Sequence, residues 1–355
     1  MNTERSLLPV DIVMDPSWWN AHAGITFDED FFYHPAKRVE SERKMAEGLY
    51  ERWGQYGLGD KDSRDLPVVG AVHLASGFLL SEMLGCEVRY IEDAPPQVVS
   101  AGRGDLGISI DDAFSSGVFK KFEAMTESLK AKFGYLLGDV NWGGVLNIAL
   151  DLRGEMIFMD MFDKSDDVAK YFGQIADFIA GFVNGVQKQT GTSSISVNRV
   201  VRHLAEPVYL HSECSHTMIS VDDYEKFLLP IDTLWSNTLQ PYGIHFCGAD
   251  PHRFAGSYAK LPRLDFLDVG CGGDLKVLRE KLPDTFLNIR LLPVEILEQS
   301  EDEIRSTICR LVEDSANPYL TGVCCINMDA NVPDSKVSAI FSTVEKLRKK
   351  FGRLS

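Results

Sequence analysis

From residue 207 to the C-terminus the chain alternates short apolar runs with longer amphipathic ones, and this restricts the fold more than any other feature. Residues 207–211, 244–247, 266–269, 286–291 and 320–326 read as buried strands. Residues 222–239, 251–260, 274–281, 300–315 and 335–351 read as the helices between them, with Ser220 placed to cap the first. The first half continues the pattern less regularly. There, 66–72 and 135–140 read as strands, and 35–56, 75–84, 112–133, 145–153 and 166–188 as helices. Residues 86–90 make a short strand that Pro95-Pro96 ends. Strands that alternate with helices imply an α/β fold with a parallel sheet. Seven or eight such units imply a (β/α)8 TIM barrel, with its chemistry on the loops after the strands. Residues 1–60 are expected to form a helical, aromatic-rich N-terminal extension, and 61–355 the catalytic barrel. Trp18, Trp19, Phe27, Phe31, Phe32 and Tyr33 in that extension suit either packing on the barrel or a wall for a flat apolar substrate.

The balance of 36 Lys and Arg against 52 Asp and Glu gives a net charge of −16, which repels phosphate backbones and argues against nucleic acid as a partner. No apolar run is long enough to span a membrane, and the first residues lack a signal-type core, so a cytoplasmic protein is expected. Seven cysteines, an odd number in a chain of this length, point to metal ligands or free thiols rather than a disulfide framework. Oligomeric state is left open, a homodimer among the options.

The residues that follow the strands define the functional face. They are His73; Asp139, Asn141 and Trp142; His211, Glu213, Cys214 and His216; His245 and Cys247; Cys271; Glu295; Cys324, Cys325 and Asn327. Four of the eight histidines and five of the seven cysteines fall there, which makes a chemical site the better reading of these positions. Side chains two apart on a strand share a face, so His245 and Cys247 present an imidazole and a thiol to one point. With a cysteine from Val323-Cys324-Cys325-Ile326 they make a three-ligand set suited to zinc with an open position. Glu213, directly after a strand, is placed to reach a metal or a substrate proton, and His211 and Asn141 complete the candidate catalytic group. Cys271 and Cys325 read as small buried residues. The turn Gly270-Cys271-Gly272-Gly273 lacks the spacing of a phosphate loop and reads as a tight strand-to-helix connection.

Four segments together resemble the uroporphyrinogen decarboxylase superfamily, in its cobalamin-dependent methyltransferase branch. They are Gly138-Asp139-Val140 through Met159-Asp160-Met161-Phe162-Asp163; His216-Thr217-Met218-Ile219-Ser220-Val221-Asp222-Asp223-Tyr224-Glu225-Lys226-Phe227-Leu228-Leu229-Pro230; Tyr242-Gly243-Ile244-His245-Phe246-Cys247-Gly248; and Leu320-Thr321-Gly322-Val323-Cys324-Cys325-Ile326. The resemblance covers roughly residues 135 to 351. It implies zinc on His245, Cys247 and Cys324, with Cys325 as the neighbouring alternative. It implies methyl transfer between a small methylated substrate and the cobalt of a corrinoid carried by a partner protein. The aromatic N-terminal segment favours a methoxylated aromatic substrate and O-demethylation. Transfer from methylcobalamin to a thiol is the alternative, and a metal-free lyase of the decarboxylase type is a further one. The arginine-rich N-terminal motif of the decarboxylases is absent, which argues against a porphyrinogen substrate.

Overall fold

A computed structural model describes residues 7–69, 78–138, 143–191 and 208–352. Ten strands are formed: β1 (Val10–Met14), β2 (Val68–Val69), β3 (Glu87–Ile91), β4 (Ala94–Val99), β5 (Leu137–Gly138), β6 (Tyr209–Ser212), β7 (Tyr242–His245), β8 (Phe266–Val269), β9 (Phe286–Leu291) and β10 (Thr321–Met328). Six of them make a curled parallel sheet in the order β1-β10-β9-β8-β7-β6, half of a barrel with helices on its convex side. β2 and β5 pair in parallel as a separate two-stranded sheet, and β3 and β4 form an antiparallel hairpin.

The expected closed eight-stranded barrel is therefore met in part. Eight parallel strands are present, but among the described residues the ladder is open between β1 and β2 and between β5 and β6. The regular second half follows the sequence expectation closely, because β6 to β9 are buried on both faces and so read as continuous apolar runs.

Three elements differ from the sequence reading. β1 was not foreseen: it lies in the segment read as an extension, yet it pairs with β10 from Val10↔Val323 to Met14↔Met328. β4 runs through Pro95-Pro96, because a two-stranded hairpin has free edges on which a missing N–H is harmless. The helix expected over 222–239 is interrupted by a π-turn at Tyr224–Leu228 before Leu229–Thr238. Pro230, which lacks an N–H, stands just inside the second segment. Ser220 does cap the start, in a reciprocal box with Asp223.

The N-terminal aromatics are packing elements. Trp18, Trp19, Phe27, Phe31 and Phe32 are all buried. Trp18 lies against Trp53 at 5.8 Å, and Phe32 meets Phe78 edge-on at 4.9 Å. On the concave face of the sheet, Phe266 and Phe286 stack at 5.6 Å and, with Val208 and Leu210, fill the end near the strand N-termini. The opposite end, at the strand C-termini, carries the polar groups. Among the described residues no helix is long and apolar enough to cross a membrane.

Candidate metal centre

His245 ends β7, Asp268 is its register partner on β8, and Asn288 is the partner of Asp268 on β9. This row of three polar residues crosses otherwise apolar strands on the concave face. His245 Nδ1 lies 2.7 Å from Asp268 Oδ2, and Asn288 Nδ2 donates to Asp268 Oδ1 at 2.7 Å. The carboxylate fixes the tautomer, with the proton on Nδ1 and the Nε2 lone pair turned outward. Nε2 is buried and has no hydrogen-bond partner.

That lone pair points into a cluster. The ligand atoms of Cys214, His245 and Cys247 all lie within 4.8 Å of one another. Cys247 comes to it because it lies two residues beyond His245. Cys214 comes to it because the short 3-10 helix Cys214–Met218 follows directly on β6. Four hydrogen bonds seat that turn. Asn147 Nδ2 donates to the Ser212 carbonyl at 3.0 Å, and the Ser215 amide donates to Asn147 Oδ1 at 3.0 Å. Arg253 Nη2 donates to the carbonyls of His216 and Thr217, at 3.0 and 3.2 Å. Gly248 completes the fit: a Cβ there would stand 2.0 Å from Thr217 Cγ2, so any larger residue would push the Cys214 turn away.

The thiols are electrostatically matched. The hydrogen bond between them holds Cys247 well below the usual thiol range, against the effect of burial, and His245 and Arg290 add to it. The same bond, together with burial, pushes Cys214 up. Cys247 is thus the thiolate of the pair. Burial works against a charge on His245, but Asp268 and Cys247 outweigh it and raise the imidazole to about 9, so the Nε2 lone pair is bared when a metal displaces the second ring proton. An orphaned buried imidazole nitrogen, a thiolate and a second thiol at this spacing fit a soft divalent ion such as zinc.

Cys324, expected as the third ligand, is buried on β10 with Val13 and Ile326 and shares the concave face with this cluster, but it is not one of the three grouped residues. Its register partner is Arg290, whose Nη1 donates to Cys247 Sγ at 3.0 Å. Cys325 faces the opposite way into the core between sheet and helices. Cys271 lies half-buried in the glycine turn, which is tight: a Cβ at Gly270 would fall 1.8 Å from the Gly248 carbonyl oxygen.

Glu213 is fully buried beside the cluster. Its Oε2 accepts from the Leu146 amide at 2.8 Å, at the start of the helix Val145–Arg153, where the unpaired N–H groups favour an anion. Its Oε1 is buried without a partner. Gly144 permits this approach, since a Cβ there would lie 2.3 Å from Glu213 Oε2. His211, also fully buried, lies 3.5 Å from Glu213 Oε2 through Nε2 and 2.7 Å from Asp232 Oδ1 through Nδ1. Burial disfavours its charge, whereas Asp232 and Glu213 favour it. The carboxylates prevail and raise the imidazole to about 9, which leaves Nε2 a proton to share with Glu213 Oε2; the Val145 amide lies 3.2 Å from the same nitrogen. His216 points away, into an aromatic cage with Tyr224 at 5.0 Å, and burial lowers it to about 4. The expectations placed on His73, Asp139, Asn141 and Trp142 lie outside the described residues.

The sequence reading passed over Asp268, Asn288 and Arg290, and it did not count Cys214 as a ligand. Polar side chains spaced two apart inside apolar strands were the available signal. It also passed over Asp151, on the helix that holds Glu213. Asp151 accepts from the Ser81 hydroxyl at 2.6 Å, and burial raises its pKa to about 6, with the Glu213 charge adding and Ser81 opposing. The fold therefore tolerates the protonated acid better. The contribution is fully present below about pH 4 and is lost as the pH rises through 6. Asp151→Asn, which keeps an acceptor for Ser81, should gain on the wild type by up to about 3 kcal/mol between pH 4 and pH 7.5. Urea unfolding of both proteins across that range measures it, and a pH-independent difference would refute the assignment.

No family model and no curated protein sequence matches the chain. Similarity lies in the solved structures. A methyltransferase from Methanosarcina mazei superposes with a TM-score of 0.67 at 15% identity, over 96% of this chain and 94% of that one. A B12-independent methionine synthase from Shewanella sp. W3-18-1, in complex with selenomethionine, superposes with a TM-score of 0.54 at 10% identity, over 97% of this chain and 98% of that one. At these identities the likeness is one of fold, and it extends over nearly the whole length. The chain thus shares its overall fold with these two proteins.

Proposed function

We propose that this chain is a zinc-dependent methyltransferase that moves a methyl group between a small methylated substrate and the cobalt of a corrinoid on a partner protein. The observation that carries the reading is the Cys214–His245–Cys247 cluster at the C-terminal ends of the strands, with His245 oriented by Asp268. That is where barrel-type folds place their chemistry. The fold shared with a methyltransferase supports the reaction class.

His245 and Cys247 would hold the metal with a further thiol, Cys214 or Cys324. Zinc bound there supplies Lewis acidity, which stabilises a thiolate or makes an ether oxygen a better leaving group. The chain's own residues prepare the site for it. Asp268 and Asn288 lock the imidazole, Arg290 favours the Cys247 thiolate, and the helix start at Val145 anchors Glu213. Glu213 Oε1, buried and without a partner among the described residues, would accept the proton that a thiol substrate gives up, or, when protonated, supply one to a leaving aryloxide. His211 holds Glu213 in place, and Asn141 is assigned to substrate positioning.

The buried packing of Trp18, Trp19, Phe27, Phe31 and Phe32 takes away the wall that favoured a flat aromatic substrate. A methoxylated aromatic, in the direction of O-demethylation, and a thiol acceptor therefore both enter the test. The zinc-loaded protein is mixed with cob(I)alamin and aryl methyl ethers, or with methylcobalamin and thiols. The cobalamin absorbance then reports gain or loss of the methyl group. We expect turnover in one direction, lost in Cys247→Ala and reduced roughly 10²- to 10⁴-fold in Glu213→Gln. A zinc-loaded protein inert to both panels would remove the corrinoid part of the reading.

A further inference from the structure

Arg290 stands on the concave face of β9 next to the cluster, and its chemistry is incomplete. Its Nη1 donates to Cys247 Sγ at 3.0 Å, its only hydrogen bond to a described residue. Its Nε is buried with no hydrogen-bond partner among the described residues. No carboxylate pairs with it among the described residues, whereas Arg253 lies 3.3 Å from Asp250 and donates to two carbonyls. Its anionic neighbour is the Cys247 sulphur, since burial pushes the thiols of Cys271 and Cys324 up.

A buried guanidinium with an unused N–H is unfavourable unless an acceptor arrives. The planar fork of Nε and the two Nη groups matches a carboxylate bidentately, better than it matches a sulphur atom. Once Cys247 binds a metal its charge is shared with the ion, so Arg290 has still more need of an anion. The group that satisfies it must lie within one side-chain length of the metal-binding sulphur. A small organic acid whose reacting atom sits at the cluster meets that condition. Arg290 is not itself a metal ligand, and its bond to Cys247 leaves part of its fork unused.

We propose that Arg290 is the specificity residue of this site and that the methyl substrate it selects carries a carboxylate. This rests on the reading of the cluster as a metal centre, and the test separates the two. Cobalt(II) replaces zinc, because its visible spectrum reports the ligand set. The cobalt protein is titrated with 3-mercaptopropionate and with 3-mercaptopropanol, which offer the same sulphur with and without the acid. We expect the acid to bind at least tenfold more tightly than the alcohol. The preference should vanish in Arg290→Met and persist in part in Arg290→Lys, each variant being titrated from its own cobalt-loaded form because Arg290 also donates to Cys247 Sγ.

Equal binding of acid and alcohol to the wild type, or binding of neither, overturns the proposal while the cobalt spectrum leaves the metal centre standing. A preference that survives in Arg290→Met overturns it as well. Failure of the wild type to take up cobalt at all instead refutes the metal reading on which the proposal rests.

Discussion

Cys247→Ala should fold normally and lose its tight metal, with an affinity for zinc or cobalt reduced at least a hundredfold. Structural zinc is worth roughly 10–16 kcal/mol over four ligands, so one ligand is worth about 3 kcal/mol. His245→Ala should lose as much, because the imidazole nitrogen that it removes is the one left bare by Asp268 and Asn288. Asp268→Ala keeps all the ligands but frees the ring, and should cost about 10- to 100-fold. Metal competition with a chromophoric chelator measures all of these. The same assay names the remaining thiol. Cys214 is grouped with His245 and Cys247, so Cys214→Ala is expected to match Cys247→Ala. Cys324 shares the concave face, with its register partner Arg290 reaching across to Cys247. If Cys324→Ala gives the hundredfold loss and Cys214→Ala does not, Cys324 is the third ligand, and Arg290 must swing aside when the metal binds. A wild type with no detectable affinity would end the metal reading altogether.

What the sequence discloses here follows from which contacts are local. His245 and Cys247 were legible as a pair because two residues on one strand share a face whatever else the chain does. Glu213 was legible from its place after a strand. Cys214 was not recognisable as a partner, because its approach depends on Asn147, Arg253 and the missing side chain of Gly248, all distant in sequence or without chemistry of their own. The strands from β6 to β9 were legible because burial on both faces leaves an apolar run. β1 was not, since its partner β10 lies more than 300 residues away and five residues carry no periodicity of their own. The aromatics of residues 14–34 showed the opposite limit: composition flagged them, but only packing decides between a wall and a core.

Asp232→Ala should destabilise the protein by about 3–5 kcal/mol, the usual result of deleting one partner from a buried charged network. Asp232 is fully buried on the segment after the π-turn, where Pro230 has reset the helix toward β6. Three groups converge on its carboxylate. His211 Nδ1 lies at 2.7 Å, the Tyr242 hydroxyl donates at 2.6 Å, and the Tyr224 hydroxyl donates at 2.7 Å. Burial alone would raise the pKa of such an acid, but His211, with smaller contributions from His216 and the Tyr242 hydroxyl, reverses the shift and holds it below the ordinary range. Alanine would strand two buried hydroxyls and an imidazole N–H together, each loss worth roughly 1–3 kcal/mol before relaxation. Tyr242→Phe removes one donor and leaves the others in place, so it should cost only about 1–2 kcal/mol. Urea unfolding ranks the two variants, and an Asp232→Ala effect no larger than that of Tyr242→Phe would mean that the network carries no cooperative stability. The network also holds His211 and, through it, Glu213. Asp232→Asn should therefore lower turnover more than it lowers metal affinity, because its route to the chemistry runs through the carboxylate and not through the ligands.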